Sequence, residues 1–258
     1  MAYETLRILG DGPVRHLVLN RPEVHNAFNR LAVSELTEAC VELDADPTLR
    51  AVILRGEGKS FSSGGDLAEL ELNTTEFMAL ARAGTRMLEA LGELGAITIC
   101  CGHGYMMGAG AILPLSCDFR IGSPSITLSI NEVALGYNVT WRSLPGLTQL
   151  VGPARAKEMV LLGRRYTAGQ LLDYGYLHEV VPEESLVETA EAYASQIVRL
   201  APAAAAVTKA SINAYTRALD RAVHHMDFIT SGFMSRSDNT RIAREAYLSG
   251  STPEYTQE

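Results

Sequence analysis

Glu132 is the residue of this sequence that best fits a catalytic acid/base. It stands among apolar neighbours in the segment 128–136, and no cation follows it before Arg142. A carboxyl group in such surroundings tends to have a raised pKa, as a general base requires. The plainer alternative is an exposed glutamate on a loop. If Glu132 is buried, the segment offers one candidate proton acceptor.

Two glycine-containing segments offer backbone N–H groups to a ligand. Ser63-Gly64-Gly65-Asp66 follows a predicted strand, and its glycines permit a sharp turn with positive φ. Gly108-Ala109-Gly110 opens an apolar helical run, where the first N–H groups lack helical partners. Each segment also has a structural explanation, a connecting turn for the first and close packing of a helix on a sheet for the second.

Alternating β-rich and helical stretches must position these segments. Residues 14–19, 51–55, 96–101 and 118–121 are predicted strands, and 31–43 and 77–94 are predicted helices, the second with Asn73 and Glu76 as a cap pair. Strands separated by helices indicate parallel pairing through right-handed crossovers. From about residue 152 the chain is predicted to be almost entirely helical. Its apolar faces comprise Leu186, Ala190, Tyr193, Ile197 and Leu200, then Ile212, Tyr215, Leu219 and Val223.

Composition excludes several classes of protein. The 258 residues are 47% hydrophobic with a net charge of −8, which excludes a disordered chain and a general nucleic-acid binder. No export signal or membrane span is expected, and the four cysteines fit neither a zinc site nor a disulfide scaffold. Cys100 and Cys101 are expected in the core rather than as nucleophiles. We expect a cytoplasmic protein that binds no metal, no nucleic acid and no membrane.

Taken together and in order, the motifs are far more specific than any one of them. Over essentially the whole chain the sequence resembles the enoyl-CoA hydratase/isomerase, or crotonase, superfamily. The resemblance rests on Leu-Asn-Arg-Pro-Glu-Val-His-Asn-Ala at 19–27, Phe-Ser-Ser-Gly-Gly-Asp at 61–66, the glycine loop and helix at 104–118, Val-Gly-Pro-Ala-Arg-Ala at 151–156, and the tail from Ser237.

The resemblance implies an α/β fold, a crotonase-like ββα spiral core over 1–195, with a helical region at 196–258 that packs on the core and on neighbouring subunits. The expected assembly is a homotrimer or a dimer of trimers. The expected substrate is an acyl-CoA thioester, and no cofactor is expected beyond the coenzyme A of that substrate.

The resemblance also assigns site residues. Gly65 and Ala109 match the two backbone N–H donors of the family's oxyanion hole, where one donor is typically worth about 3–4 kcal/mol. The remaining positions are matched to coenzyme A or to the walls of the acyl pocket. They are Val24, His25, Ala27, Ser63, Gly64, Asp66, Leu67, Tyr105, Gly108, Leu135, Tyr137 and Trp141.

The acids discriminate within the superfamily. Hydratases resemble one another in having two glutamates; here the second corresponds to Glu132, whereas the first falls on Ile112, which cannot activate water. A single acid suits an allylic proton shift, so the pattern most resembles the Δ3,Δ2-enoyl-CoA isomerase branch. Hydration, decarboxylation or hydrolysis of a CoA or carrier-protein thioester, and a catalytically silent acyl-CoA-binding paralogue stay open as alternatives.

The C-terminal region departs from the family pattern. Gly250-Ser251 replaces a basic pair that helps to bind the CoA phosphates, and Lys209 or Arg217 is a candidate replacement. His224 and His225 are either an additional acid/base pair or packing residues. Asp118 is expected to act structurally.

Overall fold

The computed structural model describes residues 3–66 and 73–256, without the side chains of Arg221 and His225. Strands and helices alternate through the first half. The strands are β1 (Leu6–Leu9), β2 (Val14–Leu19), β3 (Ala51–Gly56), β4 (Ile97–Gly102), β5 (Tyr105–Met107), β6 (Phe119–Gly122), β7 (Thr127–Ser129), β8 (Tyr166–Thr167) and β9 (Glu179–Val180). The helices are α1 (Arg30–Asp44), α2 (Thr74–Gly92), α3 (Ala109–Ile112), α4 (Ser143–Val151), α5 (Pro153–Leu162), α6 (Ala168–Asp173), α7 (Leu186–Val198), α8 (Pro202–Thr216), α9 (Arg221–Met234) and α10 (Asp238–Ser249).

The main sheet has the strand order β1-β2-β3-β4-β6-β9. Strand β1 is antiparallel to β2, and the other neighbours are parallel. A smaller sheet has the order β5-β7-β8. The four predicted strands and their parallel pairing are confirmed.

Both faces of the main sheet are covered by helices. In β3, Val52 and Leu54 contribute to the core that includes α1 and α2, whereas Ala51 and Ile53 pack with α7. This alternation follows the two-residue period of a strand, and it explains why β3 reads as a continuous apolar run.

The two predicted helices in the first half are confirmed as α1 and α2. The predicted cap of α2 is present as a capping box. Asn73 accepts a hydrogen bond from the Glu76 backbone N–H, and the Glu76 carboxylate accepts one from the Asn73 N–H. The apolar run after Gly108 is divided into α3 and a 3-10 turn at Leu113–Ser116, because Pro114 cannot continue an α-helix.

The region after residue 152 differs from the prediction in two ways. It contains the short strands β8 and β9, and β9 extends the main sheet beside β6. Two-residue strands are too short to produce a recognisable period. The second predicted apolar face is also broken, because α8 ends at Thr216 and α9 begins at Arg221.

The C-terminal helices pack over the region between α2 and the turn that follows β7. Helix α9 packs along α2, and α10 contacts the 3-10 turn at Val133–Leu135. Thr240 of α10 donates a hydrogen bond to the Gly136 carbonyl at 2.8 Å. These helices therefore support the segment that contains Glu132.

Candidate active site

Three loops interlock where the parallel strands β2, β3 and β4 end. The Phe28 N–H donates to the Gly64 carbonyl at 2.7 Å, which joins the first loop to the second. The Ser62 N–H donates to the Tyr105 carbonyl at 3.0 Å, and the Met107 N–H donates to the Ser62 carbonyl at 3.0 Å, which joins the second loop to the third. Ligands of open parallel sheets commonly bind beyond this edge.

Asn26 holds the first two loops together. It is buried with a left-handed φ of 55°, and its Oδ1 accepts a hydrogen bond from the Arg21 N–H at 2.8 Å. Its Nδ2 donates to the carbonyls of Glu57 at 2.9 Å and Ser60 at 2.8 Å. The asparagine of the 19–27 motif thus satisfies backbone groups that the turns leave unpaired.

Gly65 and Ala109 bring two unpaired N–H groups to this edge. The neighbouring N–H groups are used, since Asp66 donates to the Phe28 carbonyl and Gly108 donates to the Ser129 carbonyl. In the part of the chain that the structure describes, neither Gly65 nor Ala109 donates a backbone hydrogen bond to another described residue. The two segments approach closely at Gly64, where φ is +96° and an added Cβ would lie 3.5 Å from the Ala109 nitrogen.

Glu132 lies beside these two segments, at the end of the loop after β7. A Cβ added to Gly108 would lie 3.1 Å from Glu132 Oε1. The Oε2 atom is buried without a hydrogen-bond partner among the described residues, although the residue as a whole keeps partial exposure. Burial raises the pKa of the Glu132 carboxyl to about 7, and a hydrogen bond with its own backbone N–H opposes the rise. This group exchanges a proton near neutral pH.

A cavity of about 150 Å³ joins Glu132 to the two N–H groups. Eight of the predicted site residues line it, namely Gly65, Asp66, Gly108, Ala109, Glu132, Leu135, Tyr137 and Trp141. Ile112 lines it as well, where the hydratase pattern would place an acid. The second carboxylate on the wall, Asp66, pairs with Arg21 at 3.0 Å. Glu69 and Glu71 lie outside the described residues.

The other predicted binding residues that the structure describes lie at the surface beside the cavity, except Ala27 and Gly64, which are buried. His25 Nδ1 lies 3.1 Å from Ser60 Oγ, and its ring meets Tyr105 edge-on at 5.7 Å. Ser63 Oγ donates to the Val24 carbonyl at 3.2 Å, and Ala27 follows in the same loop. Leu67, also predicted, lies outside the described residues.

Several lining residues were not predicted. They are Phe28, Arg30, Phe77, Leu80, Ala81, Asn131, Asn138 and Thr140. The helical spacing of Phe77, Leu80 and Ala81 assigns them to one face of α2, but spacing alone does not separate a cavity wall from a packed core.

Asn138, a polar residue of this unpredicted group, has a buried side-chain oxygen without a hydrogen-bond partner among the described residues. Its Nδ2 donates to Thr230 Oγ1 at 2.8 Å, and Thr230 itself donates to a carbonyl of α9. Because the Thr230 hydroxyl donates within α9, its oxygen accepts from Asn138, so the amide nitrogen of Asn138 faces Thr230. This orientation leaves Asn138 Oδ1 buried without a partner in the described structure.

Lys209 is not available to replace the missing basic pair of the tail. It is buried, with its Nζ 2.8 Å from Asp118 Oδ2 and 2.8 Å from the Ala96 carbonyl. Asp118 also accepts hydrogen bonds from the Thr98 N–H and hydroxyl. The structural role expected for Asp118 is confirmed, and the CoA-binding role considered for Lys209 is wrong.

His224 does not line the cavity. Its Nδ1 accepts a hydrogen bond from Arg142 Nε at 2.7 Å, and burial lowers its pKa. The packing alternative therefore describes His224, and the side chain of His225 lies outside the description. Cys100 and Cys101 are buried free thiols whose pKa burial raises, as expected for core residues.

The described residues contain no group of three or more histidine, cysteine, aspartate or glutamate side chains arranged to hold a metal ion. Across the same residues, every helix is too short or too polar to cross a membrane.

Comparison with known proteins gives a consistent picture. The family model described as enoyl-CoA hydratase/isomerase matches residues 11–258. A short-chain-enoyl-CoA hydratase of Clostridium acetobutylicum is 33% identical over 205 residues, covering 79% of this chain and 78% of that protein. A probable enoyl-CoA hydratase of Mycobacterium bovis is 29% identical over 267 residues, covering 99% of each chain.

The fold has solved counterparts. The crystal structure of an enoyl-CoA hydratase from Mycobacterium avium subsp. paratuberculosis superposes with a TM-score of 0.90 at 21% identity, covering 99% of this chain and 100% of that chain.

Proposed function

Since the chain belongs to the enoyl-CoA hydratase/isomerase family, we propose that it moves the double bond of a 3-enoyl-CoA thioester to the 2-position, with Glu132 as the single acid/base. The observation that carries the proposal is the buried Glu132 carboxyl, whose pKa is about 7 and whose Oε2 lacks a hydrogen-bond partner, beside the Gly65 and Ala109 N–H groups, which donate to no other described residue. A general base works best with a pKa near the working pH.

The proposed reaction begins with removal of a proton from C2. The ionised Glu132 accepts this proton, and the C–H electron pair delocalises onto the thioester oxygen to form a dienolate. The N–H groups of Gly65 and Ala109 stabilise that oxygen by hydrogen bonds. Glu132 then returns the proton to C4 while the C2–C3 double bond forms. The substrate and product are isomers, so the proposed reaction requires no cofactor other than the coenzyme A that the substrate carries.

Two features of the cavity favour isomerisation over hydration. Ile112 cannot bind or activate a water molecule, and Asp66, the second carboxylate among the described lining residues, is paired with Arg21. Hydration is the second candidate, because the curated relatives compared above are named as hydratases.

Incubation of the purified protein with 3-hexenoyl-CoA and, separately, with crotonyl-CoA tests the proposal. Chromatography and mass spectrometry identify the products. The expected result is conversion of the first thioester to its conjugated isomer without addition of water to the second. A mass gain of one water on crotonyl-CoA, with no isomerisation, would overturn the proposal in favour of the hydratase.

Substitution at Ala109 tests the proposed oxyanion hole separately. Ala109→Pro removes the N–H at the first position of α3, where proline is tolerated, and is expected to lower kcat about 10²-fold or more. Ala109→Gly keeps the N–H and serves as the matched control. Equal activity in the two variants would exclude this N–H from catalysis.

We also propose that the protein is a cytoplasmic homotrimer or dimer of trimers, with the 196–258 region packing on neighbouring subunits. Large apolar side chains of that region are exposed in the isolated chain, and contiguous patches of this kind usually mark an interface. They include Val207, Ile212, Tyr215, Leu219 and Phe233. Light scattering coupled to size-exclusion chromatography tests the assembly, and a monomer would contradict it.

A further inference from the structure

A second, larger cavity lies behind the candidate active site. It has a volume of about 800 Å³ and lies between α8 and the side of the core formed by α4 and β6. Leu150, Ile197 and Lys209 are among its lining residues. Of the described residues, Trp141 alone lines both this rear cavity and the 150 Å³ cavity that contains Glu132.

Helix α2 shows how the two cavities are arranged. Phe77, Leu80 and Ala81 line the active-site cavity, and Leu88 and Glu89 line the rear cavity. Phe77, Ala81 and Leu88 share one helix face, and Ala81 lies about 10 Å from Leu88 along the axis.

Gly84 lies between the two groups on that face. A Cβ at Gly84 would clash with the Trp141 indole, so the ring packs directly on the helix backbone there. The indole therefore forms a partition between the two cavities.

The partition has a defined orientation. Trp141 and Arg142 both have left-handed backbone conformations, with φ of 60° and 59°, which are unfavourable for residues other than glycine. Contacts of Arg142 hold this turn. Its N–H donates to Asp227 Oδ2 at 3.0 Å, its Nε donates to His224 Nδ1, and its guanidinium pairs with Glu89.

We propose that Trp141 limits the length of the acyl group by closing the end of the active-site cavity. This inference rests on the proposed binding of acyl-CoA thioesters. An apolar cavity of 150 Å³ accommodates a molecule the size of benzene, so the site accepts acyl groups of up to about six carbons. Removal of the indole joins the two cavities and admits longer chains.

Binding of saturated thioesters tests the inference without requiring catalysis. Trp141 is the single tryptophan of the chain, so its fluorescence reports the end of the acyl pocket directly. In the wild type, butyryl-CoA is expected to change the emission while coenzyme A alone does not. Decanoyl-CoA is expected to bind at least tenfold more weakly than butyryl-CoA by calorimetry.

Variants then assign the selectivity to Trp141. Trp141→Ala is expected to shift the ratio of decanoyl-CoA to butyryl-CoA affinity at least tenfold towards decanoyl-CoA, and Trp141→Phe is expected to shift it less. The ratio is unaffected by a misfolded fraction, because both ligands bind the same folded molecules. Leu150→Ala is the matched control. It enlarges only the rear cavity and leaves the indole in place, and should move the ratio less than threefold.

The outcomes separate the two proposals. If neither thioester binds the wild type, the proposed function is wrong, and this inference fails with it. If butyryl-CoA binds but the wild type shows no preference over decanoyl-CoA, or if Trp141→Ala leaves the ratio unchanged, the partition is wrong while the proposed function stands.

Discussion

Replacement of Glu132 by glutamine is expected to stabilise the fold at alkaline pH. The carboxyl is buried without a hydrogen-bond partner for Oε2, and that burial raises its pKa to about 7 from an ordinary 4.5. Ionisation in the folded chain is therefore unfavourable. Glutamine has nearly the same shape and carries no charge, so the variant avoids this penalty.

The magnitude follows from the two pKa values. Each pH unit between them is worth about 1.4 kcal/mol, so ionised Glu132 costs the folded chain about 3 kcal/mol. Because the pKa is higher in the folded chain than in the unfolded chain, the folded chain binds the proton more tightly. The penalty is thus absent below about pH 4.5, grows as pH rises, and is complete above about pH 7.

Thermal unfolding at two pH values provides the assay. Glu132→Gln is expected to raise Tm by about 5 °C or more at pH 8.5 and to leave it nearly unchanged at pH 4.5. Glu254→Gln removes an exposed carboxylate that lies outside the helices and should change Tm at neither pH. If the gain from Glu132→Gln is absent, or is equal at the two pH values, the reasoning about its buried carboxyl is refuted.

The same substitution is expected to lower kcat about 10³-fold while acyl-CoA affinity changes less than threefold, because the proton acceptor is lost and the N–H groups are kept. In the wild type, kcat/KM for isomerisation should rise with pH to a plateau, with half of the maximum near pH 7, since the ionised Glu132 is the reactive form; a flat profile between pH 6 and 8 would contradict this. Ile112→Glu adds a second carboxyl to the cavity wall and should raise the rate of water addition to crotonyl-CoA at least tenfold, whereas Ile112→Gln should not. Lys209→Met breaks a buried ion pair with Asp118 and should lower the free energy of unfolding by about 3 kcal/mol in urea, with kcat/KM unchanged; weaker CoA binding at unaltered stability would instead place Lys209 at the ligand.

The elements that the sequence predicts well are those with strong local signals. Short runs rich in apolar and β-branched residues mark β2 and β3, the Asn73 and Glu76 pair marks the start of α2, and the apolar neighbours of Glu132 indicate its burial. Strands β5 and β7 have three residues each, too few for a period, and they are held by pairing with one another and, for β7, with β8.

The part of the site that could not be predicted depends on contacts between distant positions. Trp141 packs on Gly84, and Asn138 binds Thr230, 92 residues further along the chain. A single sequence does not show that these distant residues are in contact. The glycine at 84 appears only as a weak point in a helix until the indole beside it is known.

Helix α9 gives the fold an additional route to new selectivity. Thr230 binds Asn138 on the wall of the 150 Å³ cavity, and His224 and Asp227 bind Arg142, the neighbour of Trp141. None of the three lines that cavity in the described structure. If Trp141 limits acyl length as proposed, substitutions in α9 are expected to change the acyl preference without altering the reacting groups. A chimera that carries α9 of a relative tests this expectation through its preferred acyl length.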